Sequence, residues 1–454
     1  MRIRLCVNTQ TPLVRFKASY SELRERLNYQ SGVVKLEELE QGSDYEYTPG
    51  GVAGMVHAAL RRMLKTGLVS DASWISLGPG APSEVVTGHI RLYNLSLEEK
   101  QLLLYANFKE GIWKEIHGLG KLAFNPAEYQ AYAEYNWLCA RRMLDMLHEV
   151  DLFWVHDFQQ LLIGGLIGPS APVVFRWHIP FRLDEVSLRL RTLILKSIAS
   201  FDSIIVSSKR DLEGLIRAGY SGPVSAVYPY LDPAEWSAPS RSAISAVKAR
   251  LGIGAGDRLL LVVGRMDPVK NQDVAIRAMA RVAKRYPEAR LLLVGNGSFT
   301  SSQRGGLRNP KAQLWGDHLR RIVHALRLGR RVIFAGHVNH VELNALYGIA
   351  EAVLVPSRIE GFNLTPVEGW LHKKPCIVSN GAGSSELVQD GVNGYAFSSG
   401  VEEEFSDKVS QLLESGDRAH KMGENGAMTA RLCSIDAAVT SLKETFEGAL
   451  RAYR

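Results

Sequence analysis

Short unbroken apolar runs, separated by stretches with helical periodicity, dominate the second half of the chain. The runs are Arg258–Val263, Ala289–Val294, Arg331–Phe334, Ala352–Val355 and Pro375–Val378. Continuous apolar strands alternating with amphipathic helices predict a parallel sheet covered on both faces. Between the first two runs, Asn271–Arg285 sets Val274, Ala275, Ala278, Met279 and Val282 on one helical face. The first half repeats the theme, with strands expected at Arg2–Val7, Ala72–Leu77, Leu152–Val155, Pro172–Trp177, Asp202–Val206 and Val224–Val227. An aromatic-rich, mostly helical insertion is expected from Ile90 to Leu147. The fold class is α/β: two Rossmann-like, doubly wound domains in series with a cleft between them. The turn-rich segment Tyr228–Pro233 and the Ser/Ala-rich stretch to Ala246 mark the crossing. This gives an N-terminal domain over 1–235, a C-terminal domain over 236–430, and a closing helix over 431–454 that packs back on the first domain.

At 454 residues the chain is long enough for two such cores. No apolar run approaches the ~20 residues of a membrane span, and the first residues read as a strand instead of a leader peptide. The stretch Arg182–Ser200 carries Arg189, Arg191 and Lys196 among leucines. That pattern fits a membrane-surface helix or a helix covering a sheet, and the second reading is preferred. The four cysteines lie far apart without paired spacing, which suits reduced thiols in a cytoplasmic protein. A net charge of +7 favours anionic partners, but it is spread over many helices, which argues for solvated faces and against nucleic acid. Whether the chain forms a homo-oligomer is left open by the sequence.

In an open parallel sheet, ligands bind beyond the carboxyl ends of the strands. After the run ending at Val263 comes Gly264-Arg-Met-Asp-Pro-Val-Lys270-Asn271, placing Arg265 and Lys270 beside the start of a helix. A planar fork and a point charge in that position suit a diphosphate, although two solvated loop cations would read the same in isolation. After Val355 comes Pro356-Ser-Arg-Ile-Glu360-Gly-Phe-Asn-Leu-Thr-Pro-Val-Glu368. The backbone N–H groups of Gly361, Phe362, Asn363, Leu364 and Thr365 can cradle a phosphate. Glu360 can accept from sugar hydroxyls, and Glu368, about a turn into the helix, from ribose hydroxyls. In the first half, Gly50-Gly51-Val52-Ala53-Gly54 precedes a helix and lets the backbone approach a phosphate closely. Asp157 and His178 close two strand ends, in Trp154-Val-His-Asp157 and Phe175-Arg-Trp-His178-Ile-Pro-Phe181.

The blocks Gly264–Asn271, Leu291–Gly297, Val332–Gly336, Glu360–Glu368, Ser379–Glu386 and Asp390–Gly394 together resemble the C-terminal half of retaining GT-B glycosyltransferases. The first-half segments, with Tyr93–Glu99 and Tyr105–His117, are similar to trehalose-6-phosphate synthases, which join the glucose of a nucleotide donor to glucose 6-phosphate. The resemblance implies a nucleotide-sugar donor as co-substrate and a small sugar as acceptor, with no separate cofactor and no metal. It implies that Arg265 and Lys270 hold the donor diphosphate, Glu368 the ribose, and Glu360 (an aspartate in that family) and His178 the donor sugar. Asp157, Tyr105 and Trp113 would line the acceptor side. The family's acceptor-phosphate arginine falls where this chain has Gln10, which cannot supply that charge; Arg304 reads either as the family's second phosphate contact or as a loop cation. The acceptor therefore stays open between glucose 6-phosphate, free glucose and another small polyol or sugar.

Overall fold

The computed structural model describes residues 2–27, 32–48, 51–296 and 310–453. The chain divides into two compact units, one made of Met1–Tyr228 with Ile435–Arg454 and the other of Pro229–Ser434. The division falls several residues from the boundaries expected at 235 and 430. The segment after Tyr228 is tied to the second unit by a backbone bond from Leu231 N–H to the Cys433 carbonyl at 2.9 Å. The closing helix, Ile435–Tyr453, belongs to the first unit, where Phe446 meets the Trp154 ring edge to face at 5.3 Å.

The first unit contains β1 (Ile3–Asn8), β2 (Val14–Phe16), β3 (Val33–Lys35), β4 (Tyr45–Tyr47), β5 (Val69–Leu77), β6 (Glu84–Thr87), β7 (Ile90–Leu95), β8 (Leu152–His156), β9 (Val173–Arg176), β10 (Ser203–Val206) and β11 (Val224–Ala226). Nine of these form one sheet in the order β11-β10-β9-β8-β1-β5-β7-β6-β3, and β2 pairs with β4 as a separate ribbon. Every pairing in the large sheet is parallel except β6 with β7. The start of the expected helical insertion is thus a strand. Ile90-Arg-Leu-Tyr-Asn-Leu95 lies in parallel register with β5 and is buried at Ile90, Leu92, Tyr93 and Asn94. The helices Glu99–Ile116 and Pro126–Leu144 follow and pack on each other.

The second unit contains β12 (Arg258–Val263), β13 (Ala289–Val294), β14 (Val332–Gly336), β15 (Ala352–Val355), β16 (Cys376–Ser379) and β17 (Gly394–Phe397). They form one parallel sheet in the order β14-β13-β12-β15-β16-β17, the doubly wound order of dinucleotide-binding folds. The Ser/Ala-rich stretch expected as a crossing is largely a helix, Arg241–Leu251. Ser240 caps it by accepting from Ala243 N–H, and Gly252 ends it in the left-handed region. In the first unit, Arg182–Ser200 is helical over Leu188–Ile198 and buries Leu190, Ile194 and Ile198 in the core. Among the described residues no helix is long and apolar enough to cross a membrane.

Candidate active site

At the centre of the second sheet β12 and β15 are neighbours while the chain winds outward from them in opposite directions, which opens a crevice beyond their carboxyl ends. The loop after β12 continues to bond its neighbour: Gly264 N–H donates to the Val294 carbonyl and Met266 N–H to the Asn296 carbonyl, both at 2.9 Å. This requires glycine at 295, where φ is +131° and a Cβ would stand 2.0 Å from the Gly264 carbonyl oxygen. Asp267 then caps the turn Pro268–Lys270 by accepting from Val269 N–H at 3.1 Å. Arg358 N–H donates to the Val269 carbonyl at 2.7 Å, which joins this loop to the one after β15.

The joined loops bring Lys270 and Glu360 together as an ion pair, each side chain 14% exposed. The other Glu360 oxygen accepts from the Asn363 amide. Burial by itself would push the Glu360 carboxyl up, but the Lys270 ammonium and the more distant Arg265 guanidinium bring it below the ordinary value, so it stays ionised. Arg265 is more open, at 40% exposed, and 3.9 Å from Asp267. The Glu360 loop lies backbone to backbone on the next strand end. Glu360 N–H donates to the Gly381 carbonyl at 3.0 Å, and a Cβ on Gly383 would stand 1.9 Å from the Gly361 oxygen. Asn363, at φ 78°, accepts from Thr365 N–H at 3.0 Å, so one amide of the expected phosphate cradle already has a partner.

Glu368 lies in the helix Thr365–Leu371, which tolerates Pro366 in its first turn. Its carboxylate accepts from the Tyr347 hydroxyl. Burial raises the Glu368 carboxyl above its ordinary value, and the Tyr347 bond opposes that rise. The Tyr347 ring is itself held, stacked on His372 at 5.6 Å with 6° between the planes.

In the first sheet the chain winds outward from β1 and β8, and the residues beyond them are mostly neutral. Asp157 follows β8 at φ 69°, a strained conformation for a non-glycine residue, and is 7% exposed. Its carboxylate accepts from His178 N–H at 3.2 Å, yet burial dominates and pushes its pKa up to about 7. His178 Nε2 lies 3.0 Å from Nδ1 of His156, whose ring stacks on it. Burial first, and then Arg176, lower both imidazoles, so the pair is neutral near pH 7. Gln10 follows β1. Its N–H meets the Gln160 carboxamide at 2.8 Å once that amide is turned to face its nitrogen to the His156 carbonyl.

The geometry therefore brings Arg265, Lys270, Glu360, Asn363 and Glu368 to one strand-end crevice of the second unit. It sets Asp157, His178 and Gln10 at the strand ends of the first. Tyr105 is 1% exposed in an aromatic cluster, 4.8 Å from Tyr135 ring to ring, and Trp113 stacks on His117 at 4.2 Å. Gly51 and Val52 open the helix Gly51–Lys65, with Gly51 at φ 60°. Gly50 and Arg304 lie outside the described residues. Three residues that contact the expected site residues were not singled out by the sequence reading: Tyr347, His156 and Gln160. His156 and Gln160 border Asp157 in sequence, so their neighbourhood was a signal. Tyr347 gave none, because its partner is 21 positions away.

Three comparisons bear on this arrangement. The model of the glycosyl transferases group 1 family matches residues 244–429, which lie within the second unit. Among solved structures, the trehalose-6-phosphate synthase OtsA superposes with a TM-score of 0.76 at 16% identity, over 99% of each chain. The α,α-trehalose 6-phosphate synthase of Burkholderia multivorans gives 0.75 at 18%, over 100% of this chain and 97% of the other. HepE of Anabaena, in complex with UDP and glucose, gives 0.68 at 17%, over 98% and 100%. The fold is that of the GT-B glycosyltransferases, two Rossmann-like domains. Within that class, the chain resembles the group 1 glycosyltransferases. Curated relatives include D-inositol 3-phosphate glycosyltransferases of Mycobacterium tuberculosis and Mycobacterium bovis, 28% identical over 255 residues. Those matches cover 56% of this chain, and the chain spans about half the length of these relatives, 48%.

Proposed function

We propose that the chain is a retaining glycosyltransferase that moves a glucosyl group from a nucleotide-glucose donor to a small phosphorylated sugar, glucose 6-phosphate first. The observation that carries the reading is the Lys270–Glu360 pair beside Arg265, at the point where the second sheet reverses its winding. Bond cleavage at the anomeric carbon places negative charge on the departing diphosphate. Two cations and loop amides at that position stabilise the charge as it develops, which is commonly the largest catalytic term. Glu360, ionised and fixed by Lys270 and Asn363, serves to orient sugar hydroxyls, and Glu368 to accept from the ribose. Attack comes from the face the diphosphate leaves, with a departing phosphate oxygen taking the acceptor proton, so no protein nucleophile is needed. In this reading the cations replace a metal, and activity persists in EDTA. The cytoplasm is its setting, in keeping with four buried unpaired thiols.

The curated relatives favour a second acceptor, D-inositol 3-phosphate, within the same reaction class. The deciding experiment incubates the protein with UDP-, ADP- or GDP-glucose and each of glucose 6-phosphate, D-inositol 3-phosphate and glucose, with products read by mass spectrometry. A phosphorylated disaccharide is the expected product. A phosphorylated glucosyl-inositol would keep the transferase and change the acceptor. A neutral disaccharide would show that acceptor phosphate is not required. Unchanged donors in every mixture would overturn the reading.

A further inference from the structure

The first unit holds a cavity of about 480 Å³ that none of the candidate site residues lines. Its walls come from three elements: Tyr47 on β4, His57, Arg61 and Leu64 on the helix Gly51–Lys65, and Thr87 to Ile90 at the turn between β6 and β7. Spacings of four and seven residues put His57, Arg61 and Leu64 on one face of that helix. The cavity lies away from the expected site. Ile90 opens β7, which runs parallel to β5 and through it to β1 and β8. The turn therefore stands toward the amino ends of these strands, whereas Gln10 and Asp157 follow the carboxyl ends.

The Tyr47 and His57 rings stack on each other at 5.5 Å with 12° between the planes. Among the described residues, neither the Tyr47 hydroxyl nor the His57 nitrogens have a hydrogen-bond partner. Burial first, and then the Arg61 charge, bring the His57 imidazole down to about 4, so at neutral pH it offers one N–H donor and one acceptor. Arg61 has a contact of its own, but a guanidinium carries five N–H donors, enough to serve a ligand as well. No carboxylate lines the cavity among the described residues: Glu37 and Asp71 meet Gly88 and His89, at 3.0 and 3.6 Å, without lining it. Groups that donate and accept suit hydroxyls, and a guanidinium with no carboxylate beside the ligand suits one anion. The volume is in the range of small-molecule sites. We propose that this cavity is a second ligand site, taking a small sugar with one anionic group, the anion on Arg61 and the hydroxyls on Tyr47 and His57. The site goes beyond the transferase reading and does not depend on it.

The test is NMR on the full chain labelled in its histidine rings, with saturating UDP so that the candidate diphosphate cations are already engaged. The His57 signal is identified by its loss in His57→Gln. Glucose 6-phosphate, glucose and inorganic phosphate are titrated in turn and followed at that signal. Glucose 6-phosphate is expected to shift it, binding at least about 10-fold more tightly than either fragment. Arg61→Met should bring the sugar phosphate down to the level of glucose. Tyr47→Phe, which keeps the ring stack and removes the hydroxyl, should weaken it about 3- to 10-fold. UDP binding and a thermal melt of each variant report whether it is folded. The proposal is overturned if no probe moves the His57 signal, if Arg61→Met leaves the titration unchanged, or if glucose or phosphate alone binds as tightly as the sugar phosphate. An Arg61-dependent response at His57 without transfer to any acceptor would retain this site and remove the transferase reading.

Discussion

The two sheets are built to one plan and equipped differently. Each winds outward from a central pair of strands, β12 and β15 in one, β1 and β8 in the other. Beyond β12 and β15 stand opposite charges in contact, Lys270 and Glu360, with Arg265 nearby. At the ends of β1, β8 and β9 stand an amide, a neutral histidine pair and a carboxyl whose pKa is raised to about 7. A buried charge persists only when paired, so the second unit can keep Glu360 ionised and the first holds Asp157 close to protonation. The same fold thus holds opposite charges at one set of strand ends and groups that are neutral or close to it at the other.

The sharpest way to break this contrast is to remove charge where it is concentrated. Lys270→Ala deletes a cation and leaves Glu360 buried without its partner. Turnover, followed by release of the nucleotide, is expected to fall about 10²- to 10³-fold, as when one transition-state donor is lost. Unchanged turnover would remove the diphosphate role. A milder consequence is expected in the first unit. Burial holds the folded Asp157 carboxyl at about 7, against an ordinary value of 3.8. Between those values the native state binds more protons than the unfolded one, so stability falls as pH rises from about 4 to about 7 and is level above. Asp157→Asn cannot ionise, so its stability relative to the natural protein should rise across that window by on the order of a few kcal/mol. Urea denaturation at pH 5 and pH 8 measures it; equal shifts at both values would remove the raised carboxyl.

The second unit was the more legible of the two in sequence, for physical reasons. Four of its six strands are central and read as continuous apolar runs, and its site chemistry is local: Gly264 to Lys270 and Glu360 to Glu368 are each one short segment. In the first unit, β6 and β7 form an antiparallel hairpin just inside the edge strand β3 and mix polar with apolar residues, so a search for apolar runs passes over them. The edge strand β17 was hidden differently. It holds two aromatics, Tyr395 and Phe397, but begins at Gly394, where a Cβ would stand 2.2 Å from the Cys376 carbonyl oxygen, so its opening residue carries no apolar signal. Long-range partners stayed invisible everywhere. Glu368 could be named from its motif; the hydroxyl that orients it could not.

That hydroxyl gives the smallest of the expected effects and separates positioning from catalysis. Tyr347 holds one oxygen of Glu368 and leaves the other for a ligand. Its ring is fixed by stacking on His372 and by an edge contact with Trp236 at 5.7 Å, so Tyr347→Phe removes the bond while the packing stays. Glu368 then loses the partner that opposes the effect of burial, and its carboxyl rises further above the ordinary value. If Glu368 binds the donor ribose, the nucleotide-sugar KM should rise about 3- to 10-fold, the equivalent of one ordinary net hydrogen bond, while kcat changes by less than about 2-fold. The rise should be larger at pH 6 than at pH 8, because the extra protonation falls at the acid side. Initial rates against donor concentration at both values test this, and a loss confined to kcat would place Glu368 at the reacting atoms instead of at the ribose.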